Sequence, residues 1–321
     1  MKVQKISILA LPVMLAGCSA SKYVQEGEYI LNKVEVKSDS AAYDAGALKQ
    51  YVRQKEKPKL FSLFHNPFSK KPVVYDTLQA QLSCRDLLTA MQNQGFLHAG
   101  VTLQAEIHGQ EKTDSIAEKS RKKAPKVDVT YMLHPGEPFH IGKVEYDIED
   151  KNIEQILKLD EPENQKIKPG MRFTVDALDA ERKRIANRLL DDGYFRFNKD
   201  FIQFSADTIA GQKDIAVTLN LLKYKASSNA PETDHPRYEI RNISYLSNDS
   251  DRIHLRHRVL LNATALEEGK PYSASALQRT YNNFARLQAV KYTNIRFSEV
   301  AGNEIDSASV STSEIPSDST M

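Results

Sequence analysis

The chain has no tryptophan and only two cysteines, Cys18 and Cys84, among 321 residues. Long apolar runs are scarce. Only the stretch from Ile6 to Ala16 stands out, and its length falls well short of the roughly 20 residues a membrane-spanning helix needs. There is no G-x-S-x-G, no H-E-x-x-H and no phosphate loop. No local signature therefore assigns a nucleophile, a metalloprotease site or a nucleotide cradle. Excess charge of one sign is also missing, since 44 Lys and Arg stand against 42 Asp and Glu. These absences argue against an enzyme, against a nucleic-acid partner and against helical spans after the N-terminus.

The N-terminus itself is informative. Lys2 and Lys5 precede the apolar run, and the run ends in Leu15-Ala16-Gly17-Cys18. That order is the pattern of a secretory signal, and its ending resembles the lipobox of bacterial lipoproteins. The resemblance implies cleavage before Cys18 and acylation of Cys18, palmitate included. Several acyl chains on one residue anchor stably, because each buried CH₂ adds about 0.8 kcal/mol. The competing reading is an ordinary N-terminal helix with a buried cysteine. Losing Lys2 and Lys5 leaves 42 basic against 42 acidic residues. Cys84 is then the only cysteine left after Cys18, so no intramolecular disulfide between side chains is expected. Ser19, Ala20 and Lys22 follow Cys18 without an acidic run. This favours an outer-membrane lipoprotein facing the periplasm and leaves the cell-surface orientation open.

Three segments repeat one pattern. They begin "VVYDTLQAQLSCRDLLTAMQNQGF" at Val73, "MRFTVDALDAERKRIANRLLDDGYF" at Met171 and "KPYSASALQRTYNNFARLQ" at Lys270. Tyr75 to Gly95 and Phe173 to Gly193 both span 20 residues, and Tyr272 to Gln288 spans 16. The difference is close to one helical turn. Asp76 and Thr174 stand where N-caps are needed, and Gly95 and Gly193 where a helix ends left-handed. The expected apolar stripes are Leu78, Leu82, Met91 with Leu87 or Leu88, and Leu178, Ile185, Leu189. Phe96, Tyr194 and Phe195 read as anchors of the turns.

Shorter helices are expected in "DAGALKQYVRQK" from Asp44 and "DKNIEQILKL" from Asp150. Period-two strands flank the helices. Upstream they hold Ile30, Val34 and Val36, then Ile141, Val144 and Tyr146, then Tyr238, Ile240 and Ile243. Downstream come Val101, Leu103, Ala105 and Ile107, then Val127 to Leu133, Ile202 with Phe204, and Ile215 to Leu221. The fold class is α+β, built from units of strand, helix, helix, strand, strand, with two helices on one sheet face.

That order resembles the POTRA domain, closest to the periplasmic arms of the BamA/TamA family. "SKYVQEGEYILNKVEVKSD", "FSLF", "LHPGEPFHIGKVEY" and "YNNFARLQAVKYTNIRF" are similar to the lipidated TamA-like proteins called TamL. The resemblance covers Cys18 to about Val300 and implies tandem POTRA units. The expected layout is a signal at 1–17, an anchor linker at 18–27 and a first unit at 28–138 with a charged insertion at 110–126. A second unit at 139–226, a linker at 227–236 and a third unit at 237–300 follow. Family members continue into an outer-membrane barrel. Here the residues after Val300 are rich in Ser, Thr, Asp and Glu. They read as a disordered tail at 301–321, which leaves the third unit without its last strand and favours a truncated product over a naturally barrel-less arm.

In such arms the unit's second strand lies at a sheet edge, where unpaired N–H and C=O groups can take an extended client. The resemblance places that edge at Val101, Leu103, Ala105 and Ile107, and at Phe201, Ile202 and Phe204. It implies unfolded outer-membrane β-barrel proteins as clients, a TamB-like partner and no cofactor. The rival readings are edges that only pack against neighbouring units, and a barrel-less scaffold that binds folded envelope proteins. "KPKLFSLFHNPFSKKP" holds Phe61, Phe64 and Phe68 among lysines, which suits a membrane or partner loop or a loop covering the first unit's own core. His254 and His257 are three apart but have no clustered third ligand. Cys84 reads as a small core residue.

Overall fold

In every repeat the strand that comes last in sequence takes the middle of the sheet. The computed structural model describes residues 24–25, 27–56, 72–109, 125–160, 162–208, 213–247, 255–300 and the backbone of 308–314. They fall into two units divided between Pro138 and Phe139. The first contains β1 (Ile30–Ser38), a 3₁₀ turn (Gly46–Tyr51), α1 (Thr77–Asn93), β2 (Gly100–His108) and β3 (Lys126–His134). Its sheet order is β1-β3-β2, parallel between β1 and β3 and antiparallel between β2 and β3.

The second unit holds two repeats. β4 (His140–Asp147), α2 (Lys151–Lys158), α3 (Val175–Asp191), β5 (Ile202–Thr208) and β6 (Asp214–Leu221) form one. β7 (Ile243–Ser247), α4 (His257–Ala263), α5 (Ala274–Ala285), β8 (Val290–Arg296) and β9 (Ala308–Glu314) form the other. Their sheets run β4-β6-β5 and β7-β9-β8. The expected α+β architecture of strand, helix, helix, strand, strand is therefore observed, with α4 as the first helix of the third repeat.

β9 overturns the expectation of an incomplete third unit. It pairs parallel with β7 and antiparallel with β8, so part of the supposed tail is the central strand of the third sheet. "ASVSTSE" alternates serine with valine and threonine, which fits a strand but offers no apolar alternation to read. The expected linker at 227–236 also turns back on itself, because Tyr224 and Thr233 exchange backbone hydrogen bonds of 3.0 Å.

The same backbone clasp opens all three repeats. An aromatic residue two places before an aliphatic one meets the segment leading into the long helix. Tyr75 N donates to Tyr29 O at 2.8 Å, Phe173 N to Phe139 O at 2.9 Å and Tyr272 N to Tyr238 O at 3.0 Å. Leu31 N, Ile141 N and Ile240 N complete the three clasps on Val73 O, Met171 O and Lys270 O, each at 2.8 Å. The clasp fixes the start of each first strand relative to the helix and satisfies donors that an edge would otherwise leave open.

The helix signals hold at both ends. Asp76 accepts from Leu78 N and Gln79 N, Asp150 from Asn152 N and Ile153 N, and Thr174 from Ala177 N. Gly95 and Gly193 have φ of 93° and 102°, a region that L side chains rarely adopt. At Gly193 a Cβ would also meet Arg237 Cγ at 2.9 Å and Tyr238 O at 3.0 Å. Leu178, Ile185 and Leu189 are buried as expected. Leu78 is not, being 60% exposed. It stands nine residues before the buried Leu87, which at 100° per residue is the opposite face of the helix. The core face of α1 is Ala80, Ser83, Leu87, Ala90 and Met91.

The segment from Asp44 makes only a 3₁₀ turn, and the reason lies in the long helix. Ser83, fully buried, accepts Arg53 N at 3.1 Å, which pulls the chain into the extended conformation seen at Val52. The second and third repeats do the same thing at the same place. Buried Glu181 accepts Lys166 N at 2.7 Å, and buried Thr280 accepts Ala265 N at 2.9 Å. Ser83, Glu181 and Thr280 each stand seven residues after their N-caps, Asp76, Thr174 and Ser273. One polar atom in each core therefore holds the chain leaving the shorter helical segment. Ser83→Ala and Thr280→Val strand a backbone N–H, and each should cost about 1–3 kcal/mol in urea unfolding. Glu181→Leu also takes from Arg184, with 13% side-chain exposure, a carboxylate at 2.7 Å and leaves it Asp160 alone, and should cost more, about 3–5 kcal/mol.

Candidate functional site

A three-stranded sheet has two edges, and the clasps hold the starts of β1 and β4 and the segment leading into β7. The opposite edges are β2, β5 and β8. The groups that face outward follow from ladder alternation. Asp39 N donates to Leu133 O at 3.1 Å, so Leu133 faces β1 and its β2 partner Val101 has no bond there. The outward row of β2 is therefore Val101, Leu103, Ala105 and Ile107. In the second repeat Leu222 N donates to Phe201 O at 2.8 Å, which turns Ile202, Phe204 and Ala206 outward.

Two edges carry side chains from the long helices. Arg182 Nε donates to Ile202 O at 3.0 Å, and its guanidinium lies 5.1 Å from the Phe204 ring centroid. In the third repeat Ile295 N donates to the Tyr281 hydroxyl at 3.3 Å. Beside Tyr281, a cleft of about 290 Å³ opens between α5 and β8, lined also by Ala285, Val290, Lys291 and Tyr292. Its volume is enough for one or two side chains.

The residues expected to bind clients separate accordingly. Val101 and Leu103 pack partly against the first core, while Ile107 is 47% exposed. Ile202 begins β5 and is buried, and Phe204 is half-buried beneath Arg182. Phe201 lies outside the strand, at the end of a 3₁₀ turn (Lys199–Phe201). The period-two pattern of Phe201, Ile202 and Phe204 misses this because Asn198 caps the turn by accepting Asp200 N at 2.8 Å. Cys18, Phe61, Phe64, Phe68 and His254 lie outside the described residues, as does most of the insertion, 110–124. His257 begins α4, edge-on to Tyr245. Among the described residues no three His, Cys, Asp or Glu side chains cluster for a metal, and no helix is long and apolar enough to cross a membrane. Cys84 is half-buried against the first core, and burial pushes its thiol up.

Phe201 instead packs around His235, a residue the sequence reading passed over. The His235 ring lies 4.7 Å from Phe201, 4.9 Å from Phe197 and 6.0 Å from Tyr224 by centroids. Its Nε2 donates to Leu222 O at 2.9 Å, and its backbone N reaches Asp150 at 3.4 Å. Burial lowers the imidazole below its ordinary 6.5, against the opposing pull of the Leu222 carbonyl and of Asp150 and Asp234. The end of α3 bears on the third repeat within the same unit. Asp191 accepts Ser275 N at 2.7 Å, Arg237 Nε donates to Asp192 O at 2.6 Å, and Phe195 stacks edge-on with Tyr272 at 4.9 Å. Phe195 thus anchors the third repeat as well as its own turn.

No protein-family model matches the chain, and no curated protein matches it in sequence. Among solved structures it is similar to POTRA3-5 of BamA from Haemophilus influenzae, at 14% identity and a TM-score of 0.42, over 91% of this chain and 98% of that one. It is also similar to POTRA1-3 of the periplasmic domain of Omp85 from Anabaena, at 13% identity and 0.29, over 91% and 97%. A third similarity is to the N-terminal domain of Omp85 from Thermosynechococcus elongatus, at 11% and 0.27, over 91% and 99%.

The His235 environment gives a pH dependence. The fold accepts the neutral ring, whereas the unfolded chain protonates near 6.5. The stabilisation is present above that pH and is lost as pH falls through the lowered folded value. Between about pH 7 and pH 5, urea unfolding should show a loss of stability that His235→Phe reduces.

Proposed function

We propose that this chain is a lipid-anchored arm of the POTRA kind, TamL-like, held at the outer membrane through Cys18 and facing the periplasm. It captures extended segments of unfolded outer-membrane barrel proteins by strand addition and passes them on with a TamB-like partner. No bond chemistry and no cofactor enter this reading. The observation that carries it is the outward row of β2, four residues of backbone donors and acceptors facing away from β3. Such an edge takes a strand with little demand on its sequence, which suits a module meeting many clients. The lipobox pattern ending at Cys18 supports the anchor and the compartment.

Proline gives a selective test, because an edge strand tolerates it only where its N–H faces away from the sheet. Ala105→Pro, at an exposed position of the same row, removes one outward donor and keeps the pairing with β3. It should weaken binding of a labelled barrel-strand peptide about tenfold, as read by anisotropy, with the urea midpoint nearly unchanged. Unchanged affinity would contradict docking at β2. In cells, Cys18→Ala should move the chain from the membrane fraction to the soluble periplasm, and retention at the membrane would contradict the anchor.

A further inference from the structure

One position on the long helices differs among the repeats in a way that bears on their edges. Cys84, Arg182 and Tyr281 each stand eight residues after the caps Asp76, Thr174 and Ser273. Arg182 takes the outward carbonyl of Ile202, and Tyr281 takes the outward N–H of Ile295. An incoming strand needs those same groups. The guanidinium over Phe204 also occupies space beside β5 that such a strand would use. Cys84 is short, half-buried and packed into the first core. Among the described residues nothing bonds to the outward row of β2.

Among the described residues β2 also has no proline, lysine, bulge or covering segment, devices by which proteins blunt an edge, and its one acidic side chain is Glu106. Its sequence is GVTLQAEIH, and its register with β3 runs without a shift from Gly100 to His108. β8, in contrast, shifts register between Val290 and Tyr292. An edge strand of nine residues is an aggregation hazard unless a partner strand uses it.

We propose that this helix position decides which sheet edges are open. Arg182 and Tyr281 latch β5 and β8, and the small Cys84 leaves β2 as the docking edge for an extended polypeptide. The inference rests on the client-docking reading above and narrows it to the first repeat.

The test places a photo-reactive benzoylphenylalanine at Gln104, Gln203 or Lys291 of the full chain, one at a time. The probe is a fluorescein-labelled peptide of about ten residues with the alternating apolar and polar pattern of a barrel strand. In the otherwise native chain, labelling is expected at position 104 and not at 203 or 291. Arg182→Ala should raise labelling at 203 about tenfold, and Tyr281→Phe should raise it at 291 several-fold. Cys84→Arg should abolish labelling at 104, and Cys84→Tyr serves if the arginine variant folds poorly. Equal labelling at all three positions in the native chain overturns this inference alone, as does Arg182→Ala without effect at 203. A cross-link from 104 to residues 110–124 or to a second copy of the chain also overturns it, because that edge would then be occupied from within. Silence at every position in every variant overturns the docking reading together with the inference. The latch has a readout that needs no client: in Tyr281→Phe the Ile295 amide should exchange about fivefold faster, and an unchanged rate overturns the latch at Tyr281.

Discussion

The structure depends on backbone pairing at the centre of each small sheet. In all three repeats the last strand inserts between the first two, parallel to one and antiparallel to the other. No sheet exists until that strand arrives, since the first two never pair directly. The helices cover only one face, and three strands leave two edges. One edge is held at its start by the aromatic clasp. The other is free unless a side chain or a partner strand takes it. Stability and binding are therefore set by the same resource, unsatisfied backbone donors and acceptors.

Each helix pair meets its sheet through a polar atom as well as apolar contact. Ser83, Glu181 and Thr280 all lie in the core and all accept a backbone N–H from the chain leaving the shorter helical segment. An unmade bond there is costly because all three side chains are fully buried. That cost favours one entry path of the chain over other packings of the same apolar surface. The three residues differ in chemistry but share an acceptor oxygen.

Much of this was legible in the sequence, and the failures have physical causes. Caps and left-handed glycines were readable because they are local: Asp76, Thr174, Gly95 and Gly193 act within a turn of their own position. The strand β2 was readable from Val101, Leu103, Ala105 and Ile107, whose period matches the pleat, whereas which of its backbone groups face outward depends on its register with β3. Leu78 misled because an apolar residue in a first helical turn can face water. Phe201 misled because a cap at Asn198 places it in a turn before the strand begins. β9 was missed because a central strand can be held by its backbone while its sequence is serine and threonine. Ser83, Glu181, Thr280, Arg182 and Tyr281 gave no signal alone. Only aligning the repeats on their N-caps brings them into register, and their partners are distant in the chain.

The central claim is that the outward groups of β2 are unpaired in the free arm and become paired when a client strand adds. Residue-resolved amide hydrogen exchange on β2 tests it directly. Fast exchange is expected at Val101, Leu103, Ala105 and Ile107 in the free chain and slow exchange at Thr102, Gln104 and Glu106, which bond to β3. A saturating barrel-strand peptide should slow the first group and leave the second unchanged. Uniformly slow exchange in the free chain, or no slowing of the outward amides by the peptide, would contradict it.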